Sequence, residues 1–290
     1  MIDKVLVKAS GKRRKAFNTI CFHTFVLLFA FIMIYPLIWM LFASFKGSGE
    51  IFNSASLLPK VWVFTNYADG WNGLSRESFG IFFGNTFLIV ALALVGNILS
   101  CSMAAYAFSK CTFKLRNFFF AIMMGTLMLP KHVKLIPQYI IFNTLEMVNT
   151  YWALVLPKFV AVEGFFVYLM TQYMRGLPRE LDEAAIMDGC NEAQHYLQII
   201  LPLSVPAIIS TAIFTFIWTW NDFFNQMIYI TSVKKYTVSI ALRMFIDATG
   251  TSSWGALFAM SILSLLPMLL ILIFFQGYLV DGITAGSVKG

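Results

Sequence analysis

Charged side chains are scarce in this chain of 290 residues, since Asp, Glu, Lys and Arg make up 12% of it, whereas a soluble domain carries about 25%. Histidine occurs three times, and the four cysteines (Cys21, Cys101, Cys111 and Cys190) share no close spacing, which argues against a metal cluster and a disulfide framework. The sequence also lacks a GxxxxGK(S/T) phosphate loop, an HExxH helix and a Ser-His-Asp order. We therefore expect neither an ATP-binding site of the usual kind nor an enzyme active site in this chain.

Apolar residues take the place of the missing charge, with 59% hydrophobic residues, 17% aromatic residues and a mean hydropathy of +0.76. A helix needs about 20 apolar residues to cross a bilayer. Six stretches meet this requirement, and segments rich in Gly, Pro, Asn and charge separate them: 17–45, 81–109, 117–142, 151–173, 204–230 and 254–280. The sequence therefore predicts a single all-α, polytopic membrane domain with six transmembrane helices.

Basic residues near the ends of these stretches predict the orientation of the chain. They collect at the two ends of the chain and in the loops after the second and fourth stretches: Lys4, Lys8, Lys12, Arg13, Arg14, Lys15, Lys110, Lys114, Arg116, Arg175, Arg179 and Lys289. By the positive-inside rule, both termini are expected in the cytoplasm. We divide the chain into a basic N-terminal tail (1–16), a transmembrane domain (17–280) and a C-terminal tail (281–290). Interaction with an anionic lipid surface is sufficient to explain the net charge of +7, so no nucleic-acid partner is required.

Charged residues within the predicted helices are informative, because each costs at least about 2.5–3.5 kcal/mol at the centre of a bilayer. Lys158 and Glu163 lie in the fourth stretch, but they are five positions apart, so we do not expect them to meet on one helical face. In the fifth stretch, Trp220, Asn221 and Asp222 combine an aromatic ring with hydrogen-bonding groups, which suits contact with a sugar. The alternative is structural, because the same polar groups would also cap the outer end of the helix and tie it to its neighbours.

The loop between the fourth and fifth stretches, residues 174–203, predicts a short helix with a distinctive face. Pro178 suits the start of a helix, and the acids that follow it favour the positive end of the helix dipole. Gly189 is expected to end or bend the helix. One face follows the helical spacing i, i+3, i+4, i+7 and carries mostly small and acidic side chains: Leu181, Ala184, Ala185 and Asp188. Such a face can lie deep in a groove of a partner protein whose rim is basic.

This loop resembles the EAA motif of the permease subunits of bacterial ABC importers. The motif is Glu-Ala-Ala, then a glycine and then Ile-x-Leu-Pro, and the matching residues are Glu183, Ala184, Ala185, Gly189, Ile199, Leu201 and Pro202. Flanking sequences are similar to the carbohydrate-uptake subfamily, and within it to the shorter, six-span permeases of the maltose-transporter type: Asn85-Thr86, 104–108, Asn149-Thr150-Tyr151, Trp220-Asn221-Asp222 and Val288-Lys289-Gly290. The resemblance covers nearly the whole chain from the first predicted helix onwards.

The resemblance implies a type I ABC importer permease fold and a set of partners. Permeases of this family pair with a second, homologous permease, sit on two cytoplasmic ATPase subunits and receive solute from an extracytoplasmic binding protein. ATP and Mg²⁺ are bound by the ATPase subunits. This chain is therefore expected to bind no cofactor or metal of its own and to be a non-catalytic subunit.

The resemblance also assigns roles within the EAA loop, which would form the coupling helix that docks on an ATPase subunit. By motif position, Glu183 is the acid that meets basic residues of that subunit, Ala184 and Ala185 permit close approach, and Gly189 supplies the bend. Asp188 lies on the same face and is assigned to docking as well. The substrate implied is a sugar, expected to be an oligosaccharide rather than a monosaccharide, with a polyol or glycerol phosphate as the alternatives. It is expected to pass by alternating access across the bacterial cytoplasmic membrane, along a path that could include the Trp-Asn-Asp sequence.

Two other classes of protein fit parts of the sequence. A secondary transporter driven by protons or sodium could use Glu163 or Asp222 in a relay, but it predicts an inverted repeat that the sequence does not show, and it leaves the EAA loop unexplained. A membrane-embedded enzyme needs clustered histidines or carboxylates at a membrane face, and the sequence shows no such cluster. The importer permease is the hypothesis that accounts for most of the chain.

Overall fold

A computed structural model describes residues 2–72, 77–246 and 253–284, and within these ranges the secondary structure is helical, without strands. The chain divides into two compact units, Met1–Gly70 with Ile246–Ile262 and Trp71–Phe245 with Leu263–Gly290. The helices, numbered along the chain, are α1 (Ile2–Ala43), α2 (Ser48–Asn53), α3 (Thr65–Asn72), α4 (Phe79–Ser109), α5 (Arg116–Leu127), α6 (Lys131–Thr144), α7 (Trp152–Phe159), α8 (Gly164–Gly176), α9 (Arg179–Met187), α10 (Glu192–Gln194), α11 (Leu201–Leu203), α12 (Val205–Trp220), α13 (Phe224–Tyr229), α14 (Val238–Arg243) and α15 (Trp254–Thr284). A π-helical turn, His195–Ile200, joins α10 to α11, and a 3₁₀ turn, Val233–Lys235, precedes α14.

The prediction of six transmembrane helices is confirmed. Four helical segments are long and apolar enough to cross a membrane: Asn18–Ala43, Phe79–Ser109, Trp152–Gly176 and Trp254–Tyr278. The number reaches six when each of two bent pairs is counted as one span, namely α5 with α6 at 105° and Glu192–Leu203 with α12 at 75°. Proline accounts for part of the bending, because Pro130 immediately precedes α6 and Pro206 lies in the first turn of α12.

The predicted tails do not coincide with changes in secondary structure. Helix α1 runs without a break through residue 16, so the proposed end of the N-terminal tail lies inside a helix. At the other end, α15 continues to Thr284, and residues 285–290 of the predicted C-terminal tail lie outside the described residues.

The first unit ties the end of α1 to α3. The side-chain amide of Asn66 donates hydrogen bonds to the carbonyl oxygens of Ser44 (2.8 Å) and Lys46 (2.9 Å). These carbonyls follow the last turn of α1, where the helix itself supplies no partners. The apolar side chains of Asn18–Ala43, in contrast, are almost all exposed, as expected for a helix that faces lipid.

Helix α4 is the centre of the second unit, where it packs against α7, α8 and α12. Gly96 permits this close packing, since a Cβ atom there would lie 2.8 Å from the ring of Phe159. Hydrogen bonds cross from α4 to its neighbours, and among them Asn97 Nδ2 donates to Thr215 Oγ1 (3.0 Å) and Ser100 Oγ donates to the Lys158 carbonyl oxygen (2.7 Å). The position of α7 is therefore fixed on α4 at the point where the fourth span breaks.

Candidate functional site

Helix α9 lies within the predicted coupling loop and begins where the sequence predicts. Pro178 is the residue before its first turn, and Glu180 and Asp182 place negative charge near the positive end of the helix dipole. The helix ends at Met187, and Gly189 follows with a φ of +76°, a backbone conformation that glycine adopts without steric penalty. The predicted bend at Gly189 is confirmed.

The two alanines of the motif, which are neighbours in α9, differ in their exposure. Ala184 is exposed, whereas Ala185 is 3% exposed and packs against its own chain. Ala184 is therefore open to a partner protein, whereas Ala185 is covered by its own chain, and the docking role of the two alanines stays a prediction. The reason is helical spacing, because Ala185 lies one turn after Asp182, and Asp182 faces the body of the unit.

The outer surface of α9 is open and carries two large apolar side chains that the sequence analysis missed. Glu183 and Asp188 are exposed there, as expected for docking residues. Ile186 is 74% exposed and Met187 is 86% exposed, next to these acids. An apolar pair at solvent-facing positions of an otherwise polar helix is the signal that would have identified them.

The inner side of α9 is held to α4 by an ionic network around Asp182. Lys110, directly after the end of α4, donates from Nζ to Asp182 Oδ2 at 2.7 Å. His195 Nε2 lies 3.1 Å from Asp182 Oδ1, so one carboxylate joins α9 to both α4 and the π-helical turn. Charge-assisted contacts of this kind are stronger than neutral hydrogen bonds.

A second layer of contacts continues from His195 into α4. Tyr106 Oη lies 3.0 Å from His195 Nδ1 and donates to Glu192 Oε2 at 2.5 Å. The thiol of Cys111 donates to the same carboxylate oxygen at 3.8 Å. Burial raises the pKa of the Cys111 thiol, and the negative charge of Glu192 raises it further, so this cysteine remains a protonated donor at neutral pH. Helix α9 is thus attached to the end of α4 through several side chains.

The second unit also contains a cavity of about 530 Å³ that brings together polar residues of three spans. Helices α4, α6, α7, α12 and α13 and the segments that precede α8 and α13 contribute its lining: Ile89, His132, Leu135, Leu154, Lys158, Glu163, Ile217, Trp218, Thr219, Asn221, Asp222, Phe223, Phe224, Asn225 and Gln226. A cavity with apolar walls and a few polar groups is the usual form of a small-molecule site.

Lys158 and Glu163 meet in this cavity, contrary to the prediction. The fourth span is interrupted between Phe159 and Gly164, where Ala161 leaves the helical conformation with a φ of +52°. The interruption brings Lys158 Nζ to 2.5 Å from Glu163 Oε1. The prediction was wrong because it assumed a continuous helix, in which positions five apart diverge.

Of the three residues proposed for the substrate path, Asn221 and Asp222 line the cavity and Trp220 does not. Trp220 is 3% exposed; its ring packs on Phe216 at 5.4 Å, and its indole nitrogen donates to the Ser264 carbonyl oxygen at 3.1 Å. The prediction that Trp220 faces the cavity is wrong, because its side of α12 packs toward α15. Trp218 lines the cavity instead.

The structural alternative for the polar pair is visible in the hydrogen bonds of Asp222. Its Oδ1 accepts from the backbone nitrogen of Asn225 at 3.2 Å, and its Oδ2 accepts from the side chain of Asn225 at 2.9 Å. Asn221 donates from Nδ2 to the Ile217 carbonyl oxygen at 2.9 Å. Both residues therefore stabilise the break between α12 and α13 while also facing the cavity.

The sequence profile of the family described as "binding-protein-dependent transport system inner membrane component" matches residues 96–284. The probable ABC transporter permease protein YurM of Bacillus subtilis is 35% identical over 284 residues, which cover 98% of this chain and 93% of the relative. The chain belongs to this permease family. The match includes α9 and, except for Ile89, all residues that line the cavity, so the polar residues of both candidate sites lie within the family domain of the permease.

Other relatives of the permease carry substrate names. The arabinooligosaccharides transport system permease protein AraQ of Halalkalibacterium halodurans is 34% identical, with 90% of this chain and 93% of the relative covered. The trehalose/maltose transport system permease protein MalG of Thermococcus litoralis is 32% identical, with 91% and 94% covered.

A solved structure confirms the type I fold of the permease. A chain of a bacterial ABC transporter involved in the import of the acidic polysaccharide alginate superposes with a TM-score of 0.79 at 21% identity. The superposition covers 92% of the permease and 98% of that chain. At this identity the similarity establishes the fold and no more.

Proposed function

We propose that this permease is the membrane-spanning subunit of an ATP-driven importer that takes an oligosaccharide from an extracytoplasmic binding protein and releases it into the cytoplasm. The substrate class is supported by the relatives named for arabinooligosaccharides and for trehalose/maltose. The cavity supports it as well, because Trp218, Asn221 and Asn225 offer an aromatic face and neutral hydrogen-bonding groups, which suit a sugar ring and its hydroxyls.

The observation that carries the proposal is the two-sided character of α9. Its inner side is held to α4 through Asp182, and its outer side leaves Glu183, Ile186 and Met187 exposed. A helix that is firmly attached to its own chain and open on the other side can transmit the movement of a partner. In this proposal the partner is a cytoplasmic ATPase subunit, which meets Glu183 with basic residues.

The remaining subunits follow from the same proposal. A second, homologous permease completes the pathway, and two cytoplasmic subunits bind ATP and Mg²⁺ and hydrolyse the nucleotide. This chain binds no cofactor and catalyses no reaction. The basic loops support a cytoplasmic position for α9 and both termini, and in this proposal residues 174–203 act as the coupling loop.

Transport by alternating access then follows from linkage. ATP binding brings the two ATPase subunits together and draws the coupling helices with them, which favours the outward-facing state of the permeases. The loaded binding protein favours the same state from outside, and hydrolysis restores the inward-facing state. The permease pair therefore has two states, inward-facing and outward-facing, and the equilibrium between them is shifted both by the ATPase subunits and by the binding protein.

Glu183→Lys tests the docking role. It places a base opposite a basic rim, and like charges in contact cost on the order of 3 kcal/mol, which weakens association about a hundredfold. We expect the variant to insert into the membrane at normal levels, to lose co-purification of the ATPase subunits and to abolish oligosaccharide uptake by the host cells.

The matched control is Glu146→Lys, which makes the same charge change at an exposed acid outside the coupling loop and is expected to transport normally. Normal uptake and normal co-purification by the Glu183 variant would contradict the docking assignment.

A further inference from the structure

The break in the fourth span presents two charged side chains to the cavity, within a segment that is apolar enough to cross a membrane. Irregular backbone is tolerated inside a membrane where it is buried in protein or lines a water-filled space. Here the backbone on one side of the break is fixed, because Ser100 donates to the Lys158 carbonyl oxygen at 2.7 Å. On the other side the Glu163 carbonyl oxygen accepts from the backbone nitrogen of Phe166 at 2.9 Å. The two side chains are thus presented to the cavity from anchored positions.

The charges that face the cavity do not cancel. Lys158 and Glu163 neutralise each other through their contact at 2.5 Å. Asp222 accepts its hydrogen bonds from the backbone nitrogen and the neutral amide of Asn225, and among the described residues no cation pairs with it. The fourth titratable side chain of the lining is His132, whose ring packs edge-on against Phe224 at 5.5 Å. Apart from this histidine, the described lining has one ammonium and two carboxylates.

We propose that this cavity selects its saccharide by charge, accepting neutral or amino-substituted sugars and rejecting those that carry a carboxylate, phosphate or sulfate. Glu163 and Asp222 are the specificity-determining residues, and Lys158 limits the negative charge of the lining to a single unit. The inference rests on the proposed function, since it adds the charge class of the sugar to the oligosaccharide importer described above.

The expected size of the effect follows from Coulomb's law. Two unit charges about 6 Å apart, at an effective dielectric constant of about 20, change an affinity roughly a hundredfold. Water in a cavity of about 530 Å³ weakens the interaction. We therefore expect each unit of charge added to or removed from the lining to change the preference between an acidic and a neutral sugar about tenfold.

The experiment measures direct binding to the complete transporter, so that the binding protein cannot impose its own selection. The purified complex is held in its ATP-bound state by a hydrolysis-blocking substitution in the ATPase subunits. Calorimetry then compares neutral maltotriose, arabinotriose and galactotriose with derivatives in which one terminal hydroxymethyl group is oxidised to a carboxylate. The readout is the ratio of the two dissociation constants on one preparation, which does not depend on the fraction of folded protein.

The wild-type complex should bind the neutral sugar at least tenfold more tightly than its acid. Glu163→Gln removes one negative charge and should reduce this ratio about tenfold, whereas Lys158→Gln should raise it about tenfold. The double variant Lys158→Gln/Glu163→Gln keeps the net charge of the lining and should retain the wild-type ratio even if both affinities fall. Glu146→Gln, on an exposed residue outside the lining, should leave the ratio unchanged.

The outcomes separate the inference from the function on which it rests. Two results would overturn selection by charge and leave the proposed sugar importer unaffected. One is a ratio of dissociation constants that stays within about threefold of wild type in both single variants. The other is tighter binding of the acidic sugar than of the neutral sugar by the wild-type complex. Binding of no saccharide by the wild-type complex, together with no saccharide uptake by the host cells, refutes the proposed function and the inference with it.

Discussion

Replacement of Asp182 by asparagine tests whether α9 depends on the ionic network for its attachment to α4. The substitution keeps the shape of the side chain and removes its charge. It leaves Lys110 Nζ, which is 2.7 Å from the carboxylate in the wild-type protein, without an anionic partner there. The contact from His195 Nε2 at 3.1 Å loses its charged acceptor as well.

The magnitude follows from the burial of the pair. The side chain of Lys110 is 7% exposed and that of Asp182 is 24% exposed, so the pair is neither at the surface nor fully buried. Removal of one partner of a fully buried pair costs about 3–5 kcal/mol, and a hydrogen bond to a charged group contributes about 1.5–3 kcal/mol. Because water reaches Asp182, we expect about 2 kcal/mol, which shifts the equilibrium between attached and detached α9 about thirtyfold.

The assay is ATP hydrolysis by the assembled transporter, with and without the sugar-loaded binding protein. We expect Asp182→Asn to reduce the stimulation by the loaded binding protein, because a detached α9 no longer transmits the state of α4. Basal hydrolysis and membrane insertion should persist. The control is Glu180→Gln, which removes an exposed acid from the first turn of the same helix and should cost only a few tenths of a kcal/mol.

A double-mutant cycle strengthens this test. Lys110→Met alone leaves the carboxylate without its cation, whereas Lys110→Met combined with Asp182→Asn removes both charges. The loss of stimulated ATP hydrolysis in the double variant should therefore be smaller than the sum of the losses in the two single variants. Strict additivity, or full stimulation in Asp182→Asn, would refute the argument that this contact attaches α9 to α4.

Two further predictions follow from the packing and the orientation of the chain. Gly96→Ala brings a Cβ atom to 2.8 Å from the Phe159 ring and should lower the free energy of unfolding by about 1–3 kcal/mol, measured by thermal denaturation. The control is Gly84→Ala, whose Cβ atom would meet no atom within 4 Å and should leave stability unchanged. Equal melting temperatures of the two variants would contradict the tight contact at Gly96. In a background without native cysteines, Lys234→Cys should react with an impermeant maleimide in intact cells. Thr112→Cys, at an exposed position of the loop after α4 and outside the docking face, should react only after permeabilisation. The opposite pattern would reverse the proposed orientation.

The number of spans could be predicted from the sequence, whereas the break in the fourth span could not. Span number depends on the length of apolar stretches, which is a local property of the sequence. The break between Phe159 and Gly164 occurs at residues 160–163, which contain neither glycine nor proline. It depends on contacts with another helix, such as the hydrogen bond from Ser100 to Lys158. The pairing of Lys158 with Glu163 was therefore outside the reach of helical periodicity.

At the candidate sites too, local features could be predicted from the sequence, whereas features that depend on tertiary packing could not. The motif located α9 and the bend at Gly189, because spacing and glycine chemistry are local. It could not show which alanine faces inward, since that depends on the anchoring of Asp182. In α12, Trp218 and Trp220 are two positions apart and point about 200° from each other. The sequence identifies the pair of rings, but only the packing of Trp220 toward α15 shows that Trp218 is the one that lines the cavity.

The two sites share one element, and this has a mechanical consequence. Helix α4 is a single helix of 31 residues, without the breaks that interrupt the fourth and fifth spans. Ser100 connects it to the Lys158 segment of the cavity, and Lys110, directly after its end, connects it to α9. Ten residues of helix separate these positions by about 15 Å. A displacement of α9 that preserves its contact with Lys110 must move the end of α4, and a continuous helix carries this movement to the segment that holds the charged pair. Coupling by this route requires both contacts to survive the transition, so loss of the Asp182 contact should uncouple hydrolysis from the sugar without altering the charge preference of the cavity.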